Sequence, residues 1–223
     1  MLSIHPLHCG HGLRALVGGA CLVGSASGAH AALVEYTLGG AITSVDETGA
    51  ALPTGLALGD AFVLKIVFDS STGATAFPTN FPTPVGLFYD AVTDFGLTVP
   101  GNFFGPGEIP LHADDGIQYI NDNSGSDAIG FLIGDPGGVN IVAVLGGPDT
   151  LFPSDALPET LNFADVSAAL VQFTIAGSGD YNSPDARAIG VVTAFESRII
   201  PAPGTIGLAA LAVVAPWSRQ RAR

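Results

Sequence analysis

Phe62-Val63-Leu64-Lys65-Ile66-Val67-Phe68 decides the fold class. In an extended chain Phe62, Leu64, Ile66 and Phe68 share one face, and Val63, Lys65 and Val67 share the other. A period of two in β-branched and aromatic residues is the pattern of a strand with one buried side. Working outward, similar runs occupy Leu33–Val45, Leu87–Val99, Ile117–Asn121, Ala128–Ile133, Val139–Leu145, Ala168–Ile175 and Ala188–Ile200. Gly, Pro, Asn and Asp clusters separate them, such as Asp135-Pro136-Gly137-Gly138 and Gly177-Ser178-Gly179-Asp180. About eight strands punctuated in this way predict an all-β, single-domain β-sandwich or jelly roll over residues 32–200. Asp165 to Leu170 is the one stretch that suggests a helical turn, with Asp165 as its cap.

The composition narrows the partners. The chain has 223 residues, and charged residues make up 12% of them, about half the usual share. All twenty acidic residues lie between Glu35 and Glu196, and residues 32–200 hold three cations, Lys65, Arg187 and Arg198, for a net −17. Such a body repels nucleic acid and anionic lipid surfaces, so neither is an expected partner. Hydrophobic residues are 48% of the chain, enough to build a core.

The two ends differ from the body. Arg14 is followed by the apolar run Ala15 to Val23, and Ala29-His30-Ala31 fits the small-x-small rule for signal cleavage. Residues 1–31 therefore read as a secretory signal peptide, with the mature chain starting near Ala32. Cys9 and Cys21 are the only cysteines, and both lie in this leader, as do His8 and His11. Gly18-Gly19-Ala20 lacks the leucine usual before a lipidated cysteine, which sets a lipoprotein site at Cys21 below an ordinary signal. The expected mature protein has no thiol, which excludes disulfides, zinc thiolates and cysteine nucleophiles together.

At the other end, Pro201-Ala202-Pro203-Gly204 is stiff and excludes helix. Ile206 to Ala215 is uninterrupted and apolar, and Arg219, Arg221 and Arg223 form a basic end. The uncharged run Ile199 to Trp217, taken as a helix, would span about 28 Å, close to one bilayer core. Basic residues stay cytoplasmic, so the body would face outward. The bland alternative is a permanent single-pass anchor.

This order of motif, hydrophobic helix and arginine-rich end resembles the PEP-CTERM sorting signal. The resemblance covers about residues 200–223, and Ala202 stands where the family usually has glutamate. It implies recognition of the 201–223 tail by an exosortase-type processing enzyme and export to the cell surface or extracellular matrix. It also implies a membrane association confined to the tail before processing. The arrangement of strand 33–45, Gly59-Asp60 and a strand ending Phe68-Asp69-Ser70-Ser71 loosely resembles the all-β bodies of that family. Leu157-Pro158-Glu159-Thr160-Leu161 resembles a sortase site, but the final glycine is missing and the apolar tail begins only at Ile206, so a loop is expected there.

Candidate chemistry in the body is sparse. No Gly-x-Ser-x-Gly elbow occurs, and His112 is the one histidine outside the leader. A serine triad would have to use it as base, and no nearby serine motif supports that. An exposed loop histidine beside Asp114 and Asp115 is the simpler expectation. Paired carboxylates for glycoside hydrolysis are not singled out among Glu35, Glu108, Glu159 and Glu196. Asp114, Asp115, Asn121, Asp122, Asn123, Ser124 and Asp127 crowd one stretch, and such hard oxygen ligands suit calcium. Their spacing does not fit an EF-hand, because Asp127 falls where glycine is needed. Phe77, Phe81, Phe88, Tyr89, Phe103 and Phe104 form an aromatic-rich region that either fills the core or stacks on sugars.

The expectation is thus an exported, non-enzymatic structural or interaction protein of the cell surface or exopolysaccharide matrix, with no cofactor. A calcium-dependent carbohydrate-binding module is the first alternative. A secreted hydrolase is the second.

Overall fold

The computed structural model describes residues 32–76, 85–112, 115–123, 125–134, 138–154, 156–175 and 184–200. The Phe62–Phe68 stretch lies in β2 (Ala61–Asp69). Phe62, Leu64, Ile66 and Phe68 are buried, while Val63 and Lys65 are exposed, as the alternation requires. Val67 departs from it and is buried beside a register shift between Val67 and Phe68.

The other strands are β1 (Leu33–Glu47), β3 (Thr75–Ala76), β4 (Val85–Tyr89), β5 (Val92–Val99) and β6 (Asn102–Phe104). They are followed by β7 (Gly116–Asn123), β8 (Ser126–Gly134), β9 (Val139–Pro148), β10 (Ala168–Ile175) and β11 (Ala186–Ile200). All pair antiparallel in one sheet, in the order β3-β4-β7-β8-β9-β10-β11-β1-β2-β5-β6. The body is all-β. Among the described residues the helical content is a single 3-10 turn at Phe163–Asp165.

Three expectations need correction. Leu87–Val99 is two strands, β4 and β5, broken at Asp90-Ala91. Asp90 has φ of 58°, a left-handed conformation that Asp tolerates better than most residues. The apolar alternation runs on through this break, so hydropathy hides it. The helical turn expected over Asp165–Leu170 lies earlier, at 163–165, because Asn162 caps it through Ala164 N. Ala168–Leu170 instead opens β10. Finally, Ile199 and Ile200 close β11, so no helix starts at Ile199.

The sheet is rolled. β4 and β5 stand eight places apart in the order, about 38 Å in a flat sheet at 4.8 Å per step. Yet only Asp90 and Ala91 join them, a link that reaches at most about 11 Å. Aromatic contacts agree. The Tyr36 ring of β1 lies 5.8 Å from Phe131 of β8, four places away, and Phe68 of β2 lies 5.7 Å from the same ring. Tyr36 also meets Phe68 and Phe195 edge-on, at 5.0 and 4.9 Å. Edge-to-face pairs of this kind each contribute about 0.5–1.5 kcal/mol beyond their burial. The Tyr36 hydroxyl is buried with its ring and donates to Pro158 O at 2.7 Å, so no polar group is stranded.

The first and last strands form the middle of this sheet. β1 and β11 are each fifteen residues long, and Leu33 pairs with Ile200. Close approach here depends on glycine. A Cβ at Gly40 would fall 2.0 Å from Val191 O, and one at Gly190 would fall 2.3 Å from the Phe62 ring. Phe62 lies across both positions because neither carries a side chain.

Candidate functional site

The outer face of β11, β1, β2, β5 and β6 carries the chemistry that the inner face excludes. Register places Arg198 beside Glu35, Glu35 beside Val67, and Val67 beside Asp94. One step along, Lys65 lies between Thr37 and Gly96, and Val63 between Gly39 and Thr98. Thr98 in turn pairs with Phe103.

Two of the body's three cations converge on Glu35. Arg198 Nε and Nη2 donate to the two carboxylate oxygens at 2.9 Å each, and Lys65 Nζ stands 3.6 Å from Oε2. The forked geometry fits a guanidinium to a carboxylate. The hydrogen bond to Glu35, then its charge, raises the Arg198 pKa above its ordinary value. The guanidinium therefore stays charged over any pH at which the fold is studied. Glu35 is buried under this clamp, which ties β11 to β1 across 163 residues of sequence. The sequence placed Glu35 and Lys65 on strands, but pairing with Arg198 follows from topology alone.

Next to the clamp lies a groove of about 350 Å³, lined by Val63, Lys65, Asp94, Phe95, Gly96, Thr98, Phe103 and Pro106. Phe103 is 57% exposed. Its ring covers two glycines: a Cβ at Gly96 or at Gly105 would each fall 2.8 Å from it. Of the aromatic-rich region, Phe88 is buried, Phe104 packs on Phe173 at 5.4 Å, and Tyr89 is exposed. Phe77 and Phe81 lie outside the described residues.

The acidic cluster is divided by the fold. Asp115 is buried at the foot of β7, and its carboxylate accepts from His112 N and Gly134 N at 2.8 Å. Asp127 is buried near the other end of the β7–β8 hairpin and accepts from Phe152 N at 3.0 Å. Gly116 pairs with Leu132, so the two acids are separated by about six residues along β8, roughly 20 Å. One calcium cannot take both. Asn121 and Asn123 bracket Asp122 on β7, but their side chains and all of Asp114 lie outside the described residues. Among the described residues no three His, Cys, Asp or Glu side chains gather as metal ligands.

His112 is exposed, and its backbone exchanges hydrogen bonds with Asp115. Glu108 accepts from Gly105 N, and Glu159 accepts from Ser70 Oγ. Residues 157–161 carry no strand or helix, and Leu157 and Leu161 are buried.

At the ends, Ala32 is fixed: its carbonyl accepts from Ser70 N and Ser70 Oγ at 3.1 and 3.0 Å. Ala29 and Ala31, the Pro201-Ala202-Pro203-Gly204 motif, and Arg219, Arg221 and Arg223 lie outside the described residues. No described helix is long and apolar enough to cross a membrane. Compared with protein-family models, curated proteins and solved structures, the chain matches none.

Proposed function

We propose that this chain is an exported, non-enzymatic component of the cell surface or exopolysaccharide matrix. Its leader, residues 1–31, is removed after Ala31. Its body is a β-sandwich of the jelly-roll kind. Its tail, residues 201–223, passes to an exosortase-type enzyme that acts near Pro201–Pro203 and releases or attaches the body.

The observation that carries this proposal is the pairing of Leu33 with Ile200. Whatever precedes Ala32 and whatever follows Ile200 start from the same end of the β11–β1–β2 ladder. A body built so can be held at one end, first by its leader and then by its tail, while the rest of its surface stays clear of the membrane. The Glu35–Arg198 clamp lies two residues inside that end and resists pulling apart the strand to which the tail is joined. The two-residue link between β4 and β5 and the Tyr36–Phe131 contact support a rolled sheet of the sandwich type.

Intact-mass spectrometry of the protein from its native cells tests the proposal. A mass running from Ala32 to about residue 203, with or without an added group, is the expected result. A mass that keeps residues 204–223 would contradict processing and leave an anchored protein. A mass that keeps residues 1–31 would contradict export by a cleaved signal.

A further inference from the structure

We infer that the groove over β2, β5 and β6 is a binding site for a neutral glycan chain, with Phe103 as its stacking platform. The inference rests on the proposal that the body is an interaction component of the matrix, but its geometry is independent of either chain end.

Phe103 is the starting point. A phenylalanine kept for stability is normally buried, since removal from water is what makes the ring favourable. This one is 57% exposed and yet positioned. Its ring lies against Gly96 and Gly105, each without space for a Cβ beneath it. Two glycines thus give the ring a seat on the backbone. A seated aromatic with an exposed surface is already ordered before a ligand arrives, so little side-chain freedom is lost on binding.

The polar rim selects the ligand class. Lys65 and Asp94 supply one cation and one anion, and Thr98 adds a hydroxyl. The groove is therefore charge-balanced on a body of net −17. An acidic polymer would meet two cations here, Lys65 and Arg198, both already engaged by Glu35, and would face Asp94 in the groove and the net negative body around it. A neutral pyranose suits the set better. Its apolar C–H face covers the ring, and its hydroxyls donate to the Asp94 carboxylate and accept from Lys65 and Thr98.

A protein strand is the competing occupant, because β6 ends the sheet order. The edge is poorly suited to it. β6 has three residues, and Gly105-Pro106 follow it, where Pro106 has no N–H to offer a ladder. Asn102 is already tied through Nδ2 to Thr54 O.

The test uses the full chain on an array of neutral gluco-, galacto- and manno-oligosaccharides, with uronate oligosaccharides beside them and EDTA present. At least one neutral glycan should be retained. Phe103→Ala should weaken it by at least about tenfold, as expected for a central aromatic anchor. Asp94→Asn should weaken it too, and Leu132→Ala, exposed on β8 six places from β5 in the sheet order, should leave it unchanged. Circular dichroism and melting would check that each variant folds. Failure to retain any neutral glycan, retention of uronates alone, or unaltered binding by both Phe103→Ala and Asp94→Asn would overturn the inference. A self-association abolished by Phe103→Ala, with no glycan bound, would make the groove an interface between copies instead. None of these outcomes alters the masses at the chain ends, so the export proposal stands or falls separately.

Discussion

The β1–β11 seam and the β5–β6 edge belong to one sheet and are built on opposite principles. At the seam, two fifteen-residue strands pair from Leu33 to Glu47 with two register shifts, and β1 is also held by β2 on its other side. Val34, Tyr36 and Leu38 are completely buried. At the edge, three residues of β6 pair with β5, and Phe103 points outward while Phe104 packs on Phe173. The difference teaches where this protein keeps its stability and where it leaves surface for another molecule. Stability gathers where the first and last strands meet. The exposed aromatic gathers where the sheet runs out.

The sharpest way to break the seam is Tyr36→Ala. It removes three edge-on ring contacts and strands Pro158 O, and should cost about 3–5 kcal/mol in urea unfolding. A loss below 1 kcal/mol would mean that Tyr36 is not central. Gly40→Ala should follow, at about 1–3 kcal/mol, because its Cβ must displace the Val191 carbonyl and the Phe62 ring. Arg198→Ala should lower the melting temperature by less than either. Lys65 remains near Glu35, and high salt should narrow the gap from the parent protein. Phe103→Ala belongs to the other region and should stay within about 0.5 kcal/mol of the parent. A large loss there would make the exposed ring a structural support and erase the contrast.

Parts of this contrast were legible in the sequence. The alternation through Phe62, Leu64, Ile66 and Phe68 correctly assigned the buried face of β2, since period two has one physical meaning in a strand. It could not show the break at Asp90, because a left-handed backbone leaves no trace in hydropathy. Asp115 and Asp127 looked like calcium ligands by composition. Their carboxylates accept from backbone N–H groups at the two ends of one hairpin, a separation in space that composition does not show. Among six clustered aromatics, the sequence had no means of separating buried Phe88 from exposed Phe103. Exposure follows from the place of β6 in the sheet order, and that depends on partners far along the chain. The Glu35–Arg198 pair was hidden for the same reason.

Hydrogen exchange measured strand by strand tests the contrast most directly. Amides of β1 from Val34 to Leu38 should exchange only through global unfolding and be the slowest in the molecule. Amides of β6 should exchange much faster, through local opening of the edge. If Val34 to Leu38 exchanged as fast as Asn102 to Phe104, the seam would not be the stable centre of the fold, and the contrast between seam and edge would be contradicted.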